Sequence, residues 1–188
     1  ANGIPNAAGR TLSADSVGIG DTFVNAVLLN NGTLTAANTI TNIGTVQNNG
    51  TINGGVENWR SLTNTGILND GLTVNDGTVT NTGIVNGPIH IAGGTFITYA
   101  GGQAGDISNQ GSLVFDQAAD GAYAGIISGS GSLTKQGTGA LTLTQDSSAF
   151  AGITTVFGGE LVVNGALGGI LNMNGGTLGG SGSLGNVI

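Results

Sequence analysis

Glu57, Trp59 and Arg60 form the one short cluster that joins an aromatic ring to both signs of charge. Trp and Arg are favoured at the centres of protein interfaces, so the cluster is a possible partner contact. The other interpretation is a loop in which the Trp packs on the body of the protein and the Arg lies across it. We therefore retain Glu57, Trp59 and Arg60 as the only candidate site, a contact site.

The single histidine, His90, lies in a segment that alternates like a strand, with Ile89 and Ile91 beside it. A Ser-His-Asp triad needs a nucleophile and a carboxylate close to the histidine, and no nucleophile turn of the G-x-S-x-G type is present. We therefore expect His90 to be an outward-facing strand residue. No catalytic residue is predicted.

The carboxylates are scattered, whereas polysaccharide-active β-helix enzymes cluster them or place a calcium ion beside a basic residue. Asp70 and Asp76 both precede glycines, so they are expected to form turns, or alternatively to stack at one corner. Residues 101–106 resemble a single calcium nonapeptide repeat, but Ala104 interrupts it and no second copy follows. The sequence predicts no metal site and no cofactor.

The charge balance excludes several partners. Ten acidic and three basic residues give a formal net charge of -7, and Arg10, Arg60 and Lys135 are isolated from one another. Nucleic acid requires clustered basic residues, so it is not an expected partner.

The longest apolar run, residues 23–29, is interrupted by Asn25 and is shorter than the ~20 residues of a membrane helix, so the chain is not expected to insert in a membrane. Residues 1–3 carry no leader pattern, and a signal peptide is expected to have been removed or to lie upstream.

A short phrase of a small or amide residue, Gly, a hydroxyl residue and an apolar residue recurs along the 188 residues, beginning at positions 31, 49, 76, 93, 110, 130, 175 and 181. Several of its glycines lie 17 residues apart, as do Gly77 and Gly94. The chain has 38 glycines, and each interior Gly costs a helix roughly 1 kcal/mol. A fixed step of this size is typical of a coil of short strands stacked on its neighbours.

The strands themselves alternate, and in residues 140–144 we expect Leu141 and Leu143 to point inward. Gly and Asn at the corners are expected to supply positive φ, and the interior is expected to hold no basic side chain. We predict an all-β fold, a right-handed parallel β-helix (three-sided β-solenoid) with roughly 17 to 20 residues per coil. The alternative is an antiparallel sandwich, whose strands usually recur every ~8 to 12 residues.

Residues 129–167 closely resemble the autotransporter-associated β-strand repeat. The pattern G-x-G-x-L-x-K-x-G-x-G-x-L-x-L, then Tyr-x-Gly-x-Thr and G-x-L-x-V, falls on Gly129, Gly131, Leu133, Lys135, Gly137, Gly139, Leu141, Leu143, Phe150, Gly152, Thr154, Gly159, Leu161 and Val163. Phe150 replaces the usual Tyr, and Ile153 stands where a second Gly is common. The resemblance covers about a fifth of the chain.

The resemblance implies that residues 1–188 are a single β-helical passenger fragment of a bacterial autotransporter, exported by type V secretion without its translocator barrel. In such proteins the chain crosses the periplasm, and its own outer-membrane barrel carries the passenger to the cell surface. The implied function is a surface-exposed or released stalk or adhesin-like module, with a host cell-surface protein or glycan as partner, and not an enzyme. A polysaccharide-active β-helix enzyme is the alternative, and an ice-binding solenoid is a third.

Overall fold

The computed structural model describes residues 4–14, 17–19, 27–102 and 105–188. These residues form a parallel β-solenoid of about nine turns. Successive coils pair in parallel from one end to the other, as β1 (Ile4–Asn6) does with β4 (Val27–Asn30). The predicted parallel β-helix is therefore confirmed, and the antiparallel sandwich is wrong.

Most coils contribute strands to three faces in turn. The first face is a 12-stranded sheet made of β1, β4, β7 (Thr45–Asn48), β10 (Ser61–Asn64), β13 (Thr78–Asn81), β16 (Thr95–Thr98), β18 (Ser112–Asp116), β21 (Ser132–Gln136), β23 (Asp146–Ser147), β24 (Ile153–Val156), β26 (Ala166–Met173) and β28 (Ser183–Val187). The third face is a seven-stranded sheet of β3 (Val17–Ile19), β6 (Ile40–Asn42), β9 (Val56–Asn58), β12 (Leu72–Val74), β15 (Ile89–Ile91), β17 (Ile107–Asn109) and β20 (Ile127–Ser128).

The second face is interrupted midway. Its first part is a sheet of β2 (Thr11–Ala14), β5 (Thr33–Ala36), β8 (Thr51–Asn53), β11 (Ile67–Leu68) and β14 (Ile84–Val85). A 3₁₀ helix, Ala100–Gly102, follows β16. Its second part is a sheet of β19 (Gly121–Tyr123), β22 (Ala140–Leu143), β25 (Glu160–Val163) and β27 (Thr177–Gly179). The solenoid therefore has one continuous first face and a second face built in two blocks.

The 17-residue step sets the register of the middle coils, where Leu62, Val79, Phe96 and Leu113 stack on one another. Other coils depart from it. Val46 pairs with Leu62 one residue short of the step, and longer coils such as the one from Leu113 to Leu133 carry larger corners. The step read from the glycines therefore fixes the stacking, while insertions at the corners change the coil length.

Alternation builds the core. On β22, Leu141 and Leu143 are buried and Thr142 between them is half-buried, as predicted. A single buried cluster of apolar side chains runs from Leu28 to Leu171. Each coil covers the apolar side of its neighbour, which no coil can bury alone.

Close stacking, and not backbone conformation alone, explains the glycine step. A Cβ at Gly66 would collide with the carbonyl oxygen of Gly50, and a Cβ at Gly83 with that of Gly66, although neither glycine has positive φ. The expectation that Asn supplies positive φ is wrong, because Asp70 is the one non-glycine residue of the described part with positive φ. Several asparagines, among them Asn30, Asn48, Asn64 and Asn81, instead turn their side chains into the interior.

Two sequence observations fall partly outside the described residues. Residues 23–26 of the apolar run 23–29 are outside them, and so are residues 103 and 104 of the segment that resembles a calcium repeat. Among the residues that are described, no helix is long and apolar enough to span a membrane.

Candidate functional site

The outward side of the third face carries a row of polar side chains, one from each coil. Glu57 pairs with Thr73, Thr73 with His90, His90 with Ser108, and Ser108 with Ser128. Parallel pairing sets these residues about 4.8 Å apart along the solenoid axis. The row therefore presents a carboxylate, hydroxyls and an imidazole in one line.

Two carboxylates at the corner before the third face flank this row. Asp70 has φ 71° and accepts a hydrogen bond from the backbone N–H of Gly54 at 2.9 Å. Asp106 accepts one from the backbone N–H of Ile126 at 2.8 Å, on the following coil. The row and this corner enclose a groove of about 370 Å³, which we call the third-face groove.

The predicted contact residues lie together in the chain but divide between two surfaces. Glu57 lines the third-face groove. Trp59 and Arg60 form the corner between β9 and β10, where the Trp59 side chain is 47% exposed and Arg60 is exposed as well. The backbone N–H of Trp59 donates to the backbone carbonyl of Asn42 at 2.9 Å, which fixes the corner. A partner contact through these three residues stays a prediction.

The other residues singled out in the sequence are also located. His90 faces outward between buried Ile89 and Ile91, as predicted. Asp70 and Asp76 lie at opposite ends of β12, so the alternative that they stack at one corner is wrong. Asp76 accepts a hydrogen bond from the N–H of Gly77 at 2.7 Å, which is a turn interaction. No group of three or more metal-ligating side chains is present in the described part of the chain.

Lys135 is buried inside the solenoid, which corrects the expectation of an interior without basic side chains. It occupies an inward position of β21, between Phe115 and Val156 of the adjacent coils. Its Nζ donates to the carbonyls of Gln136 at 2.8 Å, Gly137 at 3.1 Å and Gly158 at 3.0 Å. Burial lowers the pKa of Lys135, and the charge of Asp116 acts in the opposite direction. The alternation of Leu133 and Lys135 with outward residues was the signal that could have placed Lys135 inside.

A ladder of buried asparagines on the first face was missed by sequence reasoning. Asn6 donates from Nδ2 to Oδ1 of Asn30 at 2.8 Å, and the pattern continues to Asn48, Asn64 and Asn81 at 2.6 Å per step. Each Nδ2 also reaches a backbone carbonyl one coil further on, as Asn48 does with Ile67. The ladder links one corner of five consecutive coils, from Asn6 to Asn81. The recurring Asn-x-Gly at the ends of these strands was the signal available.

One comparison with known proteins gave a match. A family model described as passenger-associated-transport-repeat matches residues 133–163, inside the segment 129–167 that was predicted from its motif. No curated protein and no solved structure matched the chain. The matched residues run from β21 to β25 and include Lys135, so the repeat is an integral part of the solenoid.

The matched family implies a secreted or cell-surface protein and suggests a structural module. The repeat supplies strands to the first and second faces and stacks on the coils before it. Together with the β-solenoid, the repeat supports an autotransporter passenger built from β-strand repeats.

Proposed function

We propose that this chain is the surface-exposed or released passenger of a bacterial autotransporter, acting as a stalk or adhesin-like module that contacts host cells or a host receptor. The observation that carries the proposal is the passenger-associated-transport-repeat at residues 133–163, which is continuous with the solenoid. A stack of coils presents a long side surface, and solenoids use such surfaces for binding. The exposed corner at Trp59 and the third-face groove are two surfaces available for contact.

The test uses the full-length gene product in its own bacterium. Antibody raised against residues 1–188 should label intact cells or detect the chain in the medium, and protease added outside should remove the cell-bound signal. The purified chain, labelled with a fluorophore, should bind host cells in a saturable manner. Chain retained inside the cell, or purified chain that binds no more than a labelled control protein, would contradict the proposal.

A polysaccharide-active enzyme is the second candidate, and the third-face groove is the observation that favours it. Its lining places Glu57, Asp70 and Asp106 near His90 on one face. Paired carboxylates are the groups that cleave glycosidic bonds. Incubation of the purified chain with bacterial and host polysaccharides, followed by a reducing-end assay, separates the two candidates. Release of reducing ends that is lost in Glu57→Gln would support the enzyme and overturn the structural module.

A further inference from the structure

The third-face groove has the length of a short extended peptide. Its polar row spans five coils from Glu57 to Ser128, which is about 19 Å at the spacing of parallel strands. An extended chain advances about 3.3 Å per residue, so about six residues fit along the row. The outward hydroxyls of Thr73 and Ser108 supply hydrogen-bonding groups along this path.

The charge of the groove is of one sign. Glu57, Asp70 and Asp106 line it, and within the described residues no Lys or Arg does. The hydrogen bonds of Asp70 and Asp106 go to backbone N–H groups on neighbouring coils, which hold the carboxylates at the corner without neutralising them. None of the three carboxylates forms an ion pair with a residue in the part of the chain that the structure describes. A cationic ligand is therefore the complementary one.

We propose that the third-face groove binds an extended basic segment of a partner protein, with Arg or Lys side chains paired to Glu57, Asp70 and Asp106. This partner chemistry rests on the proposed contact function and specifies it. Arg pairs with carboxylates through two parallel hydrogen bonds, so the three carboxylates set both the affinity and the register of the bound segment. Thr73 and Ser108 bond to the backbone of the segment between these pairs.

The experiment measures binding of a labelled peptide of about six residues that alternates Arg and Ser, capped at both ends, to the purified 188-residue chain. The groove variant is Glu57→Gln with Asp106→Asn. The matched control is Glu160→Gln with Asp120→Asn, because Asp120 accepts a backbone N–H from Ala140 at 2.8 Å as Asp106 does from Ile126. Each double variant loses two negative charges, one from a Glu and one from an Asp, and the control residues lie outside the groove.

The groove variant should weaken peptide binding by about tenfold or more, and the control should stay within about twofold of the original chain. Equal losses in the two variants would mean attraction by net charge alone and would overturn the proposal. So would tighter binding of a neutral hexasaccharide than of the peptide. A groove variant that is still displayed and still binds host cells would also overturn the groove assignment, while leaving the passenger function intact.

Discussion

Asn48 donates a hydrogen bond from its Nδ2 to the Oδ1 of Asn64, 2.6 Å away on the next coil. Both side chains are fully buried, and each coil therefore depends on its neighbour for a polar partner. Apolar stacking tolerates small shifts between coils, whereas a chain of hydrogen bonds between side-chain amides fixes the register of each coil on the next.

Replacing Asn64 tests the ladder. Asn64→Leu keeps the number of side-chain heavy atoms but leaves Asn81 Oδ1 without its donor and Asn48 Nδ2 without one of its acceptors. A buried polar group left unpaired costs about 1–3 kcal/mol, so we expect the free energy of unfolding to fall by at least about 2 kcal/mol. Urea unfolding followed by circular dichroism measures it. The exposed control Asn49→Leu should change stability by less than about 0.5 kcal/mol, and an equal loss there would contradict the role of the ladder.

Replacing Thr154 should raise the free energy of unfolding, in contrast to replacing Asn64. Its side chain is fully buried between Leu133 and Leu171, and its hydroxyl has no hydrogen-bond partner among the described residues. Thr154→Val removes the hydroxyl at nearly constant shape, so we expect the chain to become more stable by about 1 kcal/mol. The same urea titration measures the change. A loss of stability would show that the hydroxyl is bonded in solution.

Lys135 is the buried cation of the interior, and its three hydrogen bonds close the corner after β21. Lys135→Met retains much of the apolar stem but leaves the carbonyls of Gln136, Gly137 and Gly158 without this donor. We expect a loss of about 1–3 kcal/mol in the free energy of unfolding. Arg60→Met removes a cation from an exposed corner and is the control, with an expected change below about 0.5 kcal/mol. If Lys135→Met were as stable as the control, the three hydrogen bonds would make no net contribution to the free energy of unfolding.

Sequence reasoning reached the fold because its signals are local. The 17-residue glycine step follows from the close approach of Gly83 to the Gly66 carbonyl, and the burial of Leu141 follows from strand alternation. The burial of Asn64 was missed, and that of Lys135 was misjudged, because residue type was given more weight than position. Their polar groups are buried only because neighbouring coils supply partners, and that pairing depends on the three-dimensional register.

The sequence did not predict the third-face groove, and of its lining residues only Glu57 was proposed as a contact residue. Its other carboxylates, Asp70 and Asp106, are 36 residues apart in the chain and line the same rim because they lie two coils apart in the stack. No local pattern links them. Trp59 drew attention by its residue type, yet it occupies a corner beside the groove.

Tyr123 contributes stability to the folded chain that is lost at alkaline pH. Burial raises the pKa of its phenol well above the ordinary value, and the charge of Asp106 adds to the effect. Its hydroxyl donates to the carbonyl of Gly105 at 2.7 Å. The unfolded chain ionises Tyr from about pH 10 while the folded chain keeps the proton, so this stability is present below pH 10 and is lost as pH rises above it.

Comparison with Tyr123→Phe isolates that dependence. At pH 8 the variant should be less stable by about 1 kcal/mol, because the hydrogen bond to Gly105 is lost. Between about pH 10 and 11 the difference should shrink, since only the original chain loses the stability linked to this phenol. Urea titrations at a series of pH values measure it. A difference that stayed constant from pH 8 to 11 would contradict the raised pKa of Tyr123.

The last prediction concerns the coils that contain the passenger repeat. Leu143 on β22 is buried between Tyr123 and Val163, and its replacement by Asp puts a carboxylate among them. The only cation found inside the described solenoid, Lys135, already donates to three carbonyls. Leu143→Asp should therefore cost several kcal/mol, and the loss should spread to neighbouring coils because each coil stabilises the next.

Limited proteolysis of the original chain should leave a resistant fragment that contains residues 133–163, since the buried apolar stack continues through them to Leu171. Leu143→Asp should abolish this fragment. Thr142→Asp is the matched control, because its side chain points outward from the same strand, and it should leave the fragment intact with a cost below about 1 kcal/mol. Mass spectrometry of the fragments identifies the cleavage sites. If protease removed residues 133–163 before the N-terminal coils in the original chain, the repeat would not be the stable core of this chain.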